Sequence, residues 1–303
     1  MTDTAPLPQA AAVPAAPQGT DTPTAVPAAA PHGTDTPADA PAAAPHGTDT
    51  PADAPAAASQ ETGAPAAPPS GLRDFYENPA VPVASGDGRS LRQARLLAAA
   101  LAGRPGGTVV DVGCGDGTAA ATAAPLLAGH RLIGIDWSQD ALRRARPRMG
   151  AVVRGELEHG GLPLADGCAD AVLFSEILEH LVDPDQALDE LRRVLKPGGH
   201  LMLSTPNLAA WYNRALLLAG VQPVFSEVSL RGIHGRPGSE VVGHLRLYTA
   251  RALRSFLTAS GFEDVKITGA PFHGVPRPLR LVDRAACAVP GAASILLAHA
   301  RRR

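Results

Sequence analysis

Val109-Val110-Asp111-Val112-Gly113-Cys114-Gly115-Asp116-Gly117-Thr118 is the stretch on which the fold turns. A short β-branched run, the signature of a buried strand, enters three alternating glycines, and an Ala-rich helix-forming segment follows. Glycines there permit a tight turn and let backbone N–H groups approach a ligand at a helix N-terminus. A glycine loop alone is a weak signal, so its spacing has to decide. In a dinucleotide fingerprint, GxGxxG, the third glycine would fall at Thr118. The observed spacing is GxGxG, with Asp111 and Asp116 in and beside the loop. Two carboxylates would repel a pyrophosphate; a cationic ligand suits them. Cys114 occupies the loop's variable slot, and its packing reading outweighs a nucleophilic one.

Outward from the loop, strands and helices alternate. Upstream, Ser90–Ala102 reads as a helix capped by Ser90 and ended by Gly103. Thr108–Val112 is a strand and Thr118–Leu127 a helix. Arg131–Asp136 is the next strand, and Ser138 caps a helix to Arg146. Strands Ala151–Arg154 and Ala169–Phe174, helix Asp185–Leu195 and strand His200–Thr205 continue the order, with Lys196-Pro197-Gly198-Gly199 read as a hard helix stop. Leu208–Ala219 is helical and the chain to His244 irregular. Helix Thr249–Ser260 and strands Phe262–Ile267 and Ser294–His299 complete it. About seven strands in such alternation imply an α/β fold: a mostly parallel sheet with helices on both faces.

Composition divides the chain. Residues 1–70 hold 15 of the 30 prolines, 7 acidic residues and no Lys, Arg or aromatic side chain. They repeat a 14-residue unit, PHGTDTPADAPAAA, at 31–44 and 45–58, with a degenerate copy at 17–30. Such a segment has too little apolar surface to offset an ordering entropy of roughly 1–2 kcal/mol per residue, and is expected to be a disordered Pro/Ala-rich tail. Residues 71–303 are expected to form the folded domain. They carry 27 basic and 22 acidic residues, a modest net positive charge. No run approaches the roughly 18–20 apolar residues of a membrane span. No signal-peptide pattern appears, and three scattered cysteines form neither a disulfide framework nor a CxxC metal site. A cytoplasmic, reduced setting is expected.

A further carboxylate, Asp136, ends the second strand in Gly134-Ile135-Asp136-Trp137-Ser138, where it can accept both hydroxyls of a ribose. An adenosine ligand bearing a positive charge is S-adenosylmethionine. On these residues the chain resembles the class I S-adenosylmethionine-dependent methyltransferases. It is similar to their small-molecule branch, which includes the ubiquinone-biosynthesis O-methyltransferases. VVDVGCGDG (109–117), GIDWS (134–138), GLPLADGCADAVLFSEILEHL (161–181), ALDELRRVLKPGGHLMLSTPN (187–207) and GHLRLYTARALRSFLTASGF (243–262) carry the likeness, over roughly residues 105–268.

The resemblance implies a Rossmann-like seven-stranded sheet of order 3-2-1-4-5-7-6. It implies that Asp111 and the backbone of Gly113, Cys114, Gly115, Asp116 and Gly117 hold the methionine portion. Asp136 would bind the ribose and Trp137 pack on the adenine. Glu156, beside Leu157, stands where the family usually has an Asp that reaches the adenine amino group. Ser175 and Glu176 would face the methionine end and the substrate. Metal-dependent O-methyltransferases add a cluster of carboxylate ligands, and the sequence offers no such cluster of metal ligands; the expected reaction is metal-independent transfer to oxygen, nitrogen or carbon of a small-molecule acceptor.

Candidate catalytic residues are three histidines. Glu176 and His180, four apart, would share a face of a short helix, making His180 a general base tuned by a carboxylate; the alternative is a structural cap of the fourth strand. His234 and His244 flank the irregular segment where this fold usually builds its acceptor pocket, and either contacts substrate or anchors the loop. Trp211, Tyr212, Leu216–Leu218, Val224 and Phe225 form an apolar cluster there, either core or a lid over an apolar acceptor. Two competing functions stay open. Nucleic-acid methylation is disfavoured because the strand-four motif reads Phe174-Ser175-Glu176-Ile177, not Asn/Asp-Pro-Pro-aromatic, and no Pro-Cys nucleophile exists. A non-catalytic cofactor-binding module is the other.

Overall fold

The computed structural model describes residues 88–303 apart from His159 and Ser239. Every described residue lies within one compact unit, Ala64–Arg303. The expected tail, its repeats and the expected domain start at residue 71 lie outside the described residues.

Chain order is α1 (Gly88–Ala100), β1 (Thr108–Val112), α2 (Thr118–Ala123), β2 (Arg131–Asp136), α3 (Gln139–Met149), β3 (Ala151–Arg154), β4 (Ala169–Ser175), α4 (Pro184–Val194), β5 (Leu195–Pro206), α5 (Trp211–Leu218), α6 (Ala250–Ala259), β6 (Phe262–Ala270), α7 (Arg280–Ala286) and β7 (Ile295–Arg302). The seven strands make one sheet in the order β3-β2-β1-β4-β5-β7-β6. The pairs from β3 to β5 are parallel, and β7 is antiparallel to both β5 and β6. This is the expected Rossmann-like architecture and strand order.

Strand periodicity sorts the core into two layers, because successive side chains leave opposite faces of a sheet. On one face Val110, Val112, Val172, Phe174, Leu201 and Leu203 pack with Leu188 and Leu191 of α4 and Leu253 and Leu257 of α6. Val109, Ala171, Leu173 and Met202, the intervening residues, face the other way. They meet Ala94 and Leu97 of α1 together with Leu101, Ala123 and Leu127. Val109–Val110, Ala171–Phe174 and Leu201–Leu203 are therefore continuous apolar runs, as a sheet covered on both faces requires.

Prolines and glycines account for most departures from the sequence expectations. The helix expected over Thr118–Leu127 is α-helical only to Ala123 and continues as a 3₁₀ turn, Ala124–Leu127, with Pro125 at its start. α3 runs past Arg146 to Met149, carrying Pro147 in its last turns. Lys196-Pro197-Gly198-Gly199 does not lie beyond a helix ending at Leu195. α4 stops at Val194, and Leu195 already pairs with Ala169 before a bulge restores register at Ala171 and His200. α7 escaped the sequence reading altogether; at seven residues its apolar pattern is too short to show a period.

Candidate active site

The carboxyl ends of β1, β2 and β4 open into a cavity of about 1100 Å³, at the edge of the sheet where open α/β folds bind ligands. Its near wall is the glycine loop. Gly113 and Cys114 donate their N–H groups to the Ile135 carbonyl at 2.8 and 3.0 Å, pinning the loop to β2. Gly113 has φ +75°, and a Cβ there would sit 2.4 Å from Ile177 Cδ1, so only glycine fits. Asp136 closes the corner: its carboxylate accepts from Gly115 N and Ser138 N, each at 2.9 Å. Ser138 in turn caps α3 by accepting from Ala141 N at 3.2 Å.

Two carboxylates share this end of the cavity. Burial, reinforced by the neighbouring Asp136 charge, pushes Asp111 up to about 7. Burial also raises Asp136, against the opposing hydrogen bonds from Ser138 and Gly115. Asp116 differs. Its oxygens accept from Thr118 N (3.0 Å) and Thr118 Oγ1 (2.9 Å), and Arg148 stands 3.4 Å away. Burial opposes ionisation there, but the Thr118 bonds and Arg148 win and hold the carboxyl below its usual range. Asp116 lines the cavity as a turn residue whose charge is already engaged. The Cys114 thiol is raised far above its ordinary value by burial and the Asp111 and Asp136 charges, which disfavours the thiolate that a nucleophile needs.

The far end is built from groups distant in sequence. Glu179 is fully buried and sits in a 3₁₀ turn, Leu178–His180, after β4. Its Oε2 accepts from Thr205 Oγ1 at 2.9 Å. Its Oε1 has no hydrogen-bond partner among the described residues and faces His180 Nε2 at 4.0 Å and His244 Nε2 at 3.9 Å. Both rings are oriented from behind. His180 Nδ1 lies 3.1 Å from the Gly243 carbonyl and His244 Nδ1 3.2 Å from the Phe225 carbonyl. A carbonyl only accepts, so each Nδ1 carries the proton and each Nε2 offers a lone pair. Burial, with the partner ring, pushes His180 down to about 4; burial brings His244 to about 4 as well. Burial and the Glu176 charge raise Glu179 well above the carboxylate range.

This centre corrects the sequence reading in three places. Glu176 is not the carboxylate beside His180: it has φ +56° and pairs with Arg89 at 2.8 Å. A left-handed residue followed by a 3₁₀ turn cannot realise the α-helical four-residue spacing. His234 is exposed and outside the cavity lining. The sequence offered no cluster of metal ligands, yet Glu179, His180 and His244 bring three ligand atoms within 4.8 Å of one another. His244 joins from 64 residues beyond His180, a distance no local spacing rule spans.

A family profile described as "Methyltransferase domain" matches residues 110–203. A probable S-adenosylmethionine-dependent methyltransferase of Mycolicibacterium smegmatis is 33% identical over 181 residues, 59% of each chain. The ubiquinone biosynthesis O-methyltransferase of Cupriavidus pinatubonensis is 39% identical over 180 residues, 57% of this chain and 67% of that protein. The chain belongs to the S-adenosylmethionine-dependent methyltransferases. It spans between 32% and 59% of the length of the first curated relatives it matches. Its fold is that of a chain in the Haloferax volcanii complex between the Trm112 methyltransferase activator and a methyltransferase. That likeness has a TM-score of 0.51 at 22% identity and covers 70% of this chain and 90% of that one.

The fold brings most of the expected site residues to one cavity: Asp111, Gly113, Cys114, Gly115, Asp116, Asp136, Trp137, Ser175, Glu176, His180 and His244 line it. Gly117 shapes the loop from outside the lining, at φ +78° against Ala145. Glu156 and Leu157 also lie outside the lining; Leu157 is buried in the main core cluster. Trp211, Tyr212, Leu216, Val224 and Phe225 form the cavity wall, whereas Leu217 and Leu218 are exposed. Sequence reasoning missed Arg89, Glu179, Glu227 and Arg236. Of these only Glu179 left a trace, as an acidic residue beside a histidine in an otherwise apolar run.

Proposed function

We propose that the protein transfers a methyl group to a small-molecule acceptor seated against His180 and His244, with Asp111 and Asp136 holding the cofactor at the opposite end of the same cavity. S-adenosylmethionine supplies a methyl group activated on a sulfonium, whose departure leaves a neutral thioether. The single observation that carries the reading is the polarity of the cavity: two carboxylates and a glycine loop at one end, two neutral histidines at the other. The donor set fits the cofactor. The Asp136 carboxylate accepts backbone bonds from Gly115, Ser138 and Trp137, and a carboxylate's roughly four acceptor sites leave room for a ribose hydroxyl as well. The φ +75° and +55° of Gly113 and Gly115 keep the loop backbone bare toward the cavity. The Asp111 carboxyl favours a cation.

The chain's own contribution to chemistry is alignment and proton removal. His180 and His244 present unprotonated Nε2 atoms, each fixed through its Nδ1–H, to a hydroxyl or amine of the acceptor. Neutral rings near pH 7 are in the form a general base needs. Trp211, Tyr212, Leu216 and Phe225 give the acceptor side an apolar wall, which suits an aromatic or isoprenoid-bearing molecule more than a sugar. Because the reaction needs only alignment and a base, no metal is required of the site.

Incubating the full chain with methyl-labelled S-adenosylmethionine and a small-molecule cell extract tests this, with and without EDTA. Label in a small molecule, with S-adenosylhomocysteine released and no loss on chelation, is the expected result. Label in RNA or DNA, or tight S-adenosylhomocysteine binding with no transfer, overturns the function. Loss on chelation that zinc or magnesium restores overturns the metal-free chemistry and assigns an ion to Glu179, His180 and His244.

A further inference from the structure

The chain between α5 and α6 runs for some thirty residues without a helix or strand, yet supplies Val224, Phe225, Arg236, Val242 and His244 to the cavity wall. Irregular segments of that length in a compact domain are functional loops and need something to hold their shape. Here the holder is a single buried carboxylate. Glu227 is 3% exposed and Arg236 4%. Glu227 Oε1 accepts from Val242 N at 2.8 Å and from Arg236 Nη2 at 2.9 Å; its Oε2 accepts from Gly243 N at 2.8 Å and His244 N at 3.0 Å. Three successive backbone N–H groups thus converge on one anion, a nest made possible by the φ +83° of Gly243.

We propose that Glu227 is the positioning residue of the histidine centre, fixing both His180 and His244 through one carboxylate. The path to each ring is short. Glu227 binds His244 by its backbone N–H, while the ring's Nδ1–H goes to the Phe225 carbonyl, two residues before Glu227. Gly243 is bound by Glu227 at its N–H and presents its carbonyl to His180 Nδ1. Phe225 itself is held at φ +70°, a strained conformation for a bulky residue that persists only where its surroundings impose it. Its ring meets His244 edge-on with centroids 5.3 Å apart. The clasp therefore sets the tautomer and the direction of both Nε2 lone pairs. Neutral glutamine of the same size has one acceptor oxygen; its amide would face N–H donors, and Arg236 would lose its counter-charge.

The assignment rests on the methyltransferase reading only for what the two histidines do, and its test needs no turnover. Full-length chain labelled with 15N-histidine reports tautomers by NMR, with His180→Asn and His244→Asn identifying the two signals. S-adenosylhomocysteine affinity reports the integrity of the opposite end of the cavity. Both rings are expected as single Nδ1–H tautomers in the wild type and as exchanging mixtures in Glu227→Gln. Trypsin cleavage at Arg231 should rise at least about tenfold in that variant, because the loop now opens locally. S-adenosylhomocysteine affinity should stay within about threefold. Glu227→Asp, which keeps the charge on a shorter arm, covers the case in which Glu227→Gln fails to fold, and should show the same tautomer exchange in weaker form. Unchanged tautomers in a folded variant overturn the proposal. So does parallel loss of tautomer order and cofactor affinity, which would make Glu227 a residue of general stability.

Discussion

Asp111 couples this protein's stability and its cofactor binding to pH near neutrality. Its folded value of about 7 against an ordinary 3.8 means that the unfolded chain gives up this proton first. Stability from this group is therefore lost as pH rises between those two values, and Asp111→Asn should be the more stable protein above pH 7. Cofactor binding runs the other way. A sulfonium favours the ionised carboxyl, so S-adenosylmethionine affinity should climb with pH, by up to about tenfold per unit, and level off above about 7. Calorimetric titration from pH 5.5 to 8, at roughly unit steps, checks this; an affinity equally pH-dependent in Asp111→Asn would remove Asp111 from the cofactor site. Asp136→Ala should lose at least about tenfold in S-adenosylhomocysteine affinity, since a hydrogen-bonded carboxylate and the loop it braces go together. Asp111, Gly113 and Asp136 were legible in the sequence because strand, turn and carboxylate fall within a local pattern. Glu179 and Glu227 were not. Glu227 holds atoms 9 to 17 residues away, and Glu179 meets Thr205 and His244 at 26 and 65 residues, and no helix or strand spacing rule reaches that far.

At the scale of elements, the end of β5 matters most for the site. Its Thr205 hydroxyl is the bond that satisfies one oxygen of Glu179, and both residues are fully buried. Thr205→Val keeps the shape and removes the donor. It should cost about 1–3 kcal/mol in thermal or denaturant unfolding, because a buried acceptor is left unmatched. A loss well below that range would mean that Glu179 is not held by this bond. The same strand shows how a sequence signal can be read correctly in kind and wrongly in place. Pro197 and the left-handed Gly198, φ +71°, do interrupt regular structure, but they do so inside an extended chain as a bulge, after the helix has ended at Val194. Composition marks the break; only pairing with β4 determines which side of it each residue occupies. The 3₁₀ turn holding Glu179 repeats the lesson, since Glu176 through His180 carries a helical spacing that the backbone does not adopt.

Over the whole molecule, removal of residues 1–70 is expected to leave S-adenosylhomocysteine affinity and the unfolding midpoint unchanged, because that segment offers almost no apolar surface to the folded core. A lowered midpoint or weakened binding on deletion would contradict this. No helix among the described residues is long and apolar enough to cross a membrane. The sheet order was legible once the motifs were assembled, and β7 takes its expected place between β5 and β6. By itself the sequence determined the alternation of strand and helix, the glycine loop and the carboxylates at the ends of β1 and β2. Each of these follows from residues within a few positions of one another, where backbone sterics and periodicity act. The tertiary structure alone decided which histidines meet, which carboxylate faces them, and how Glu227 holds the irregular wall. Those outcomes depend on burial and on partners brought together by the sheet, and burial is a property that no short stretch of chain has on its own.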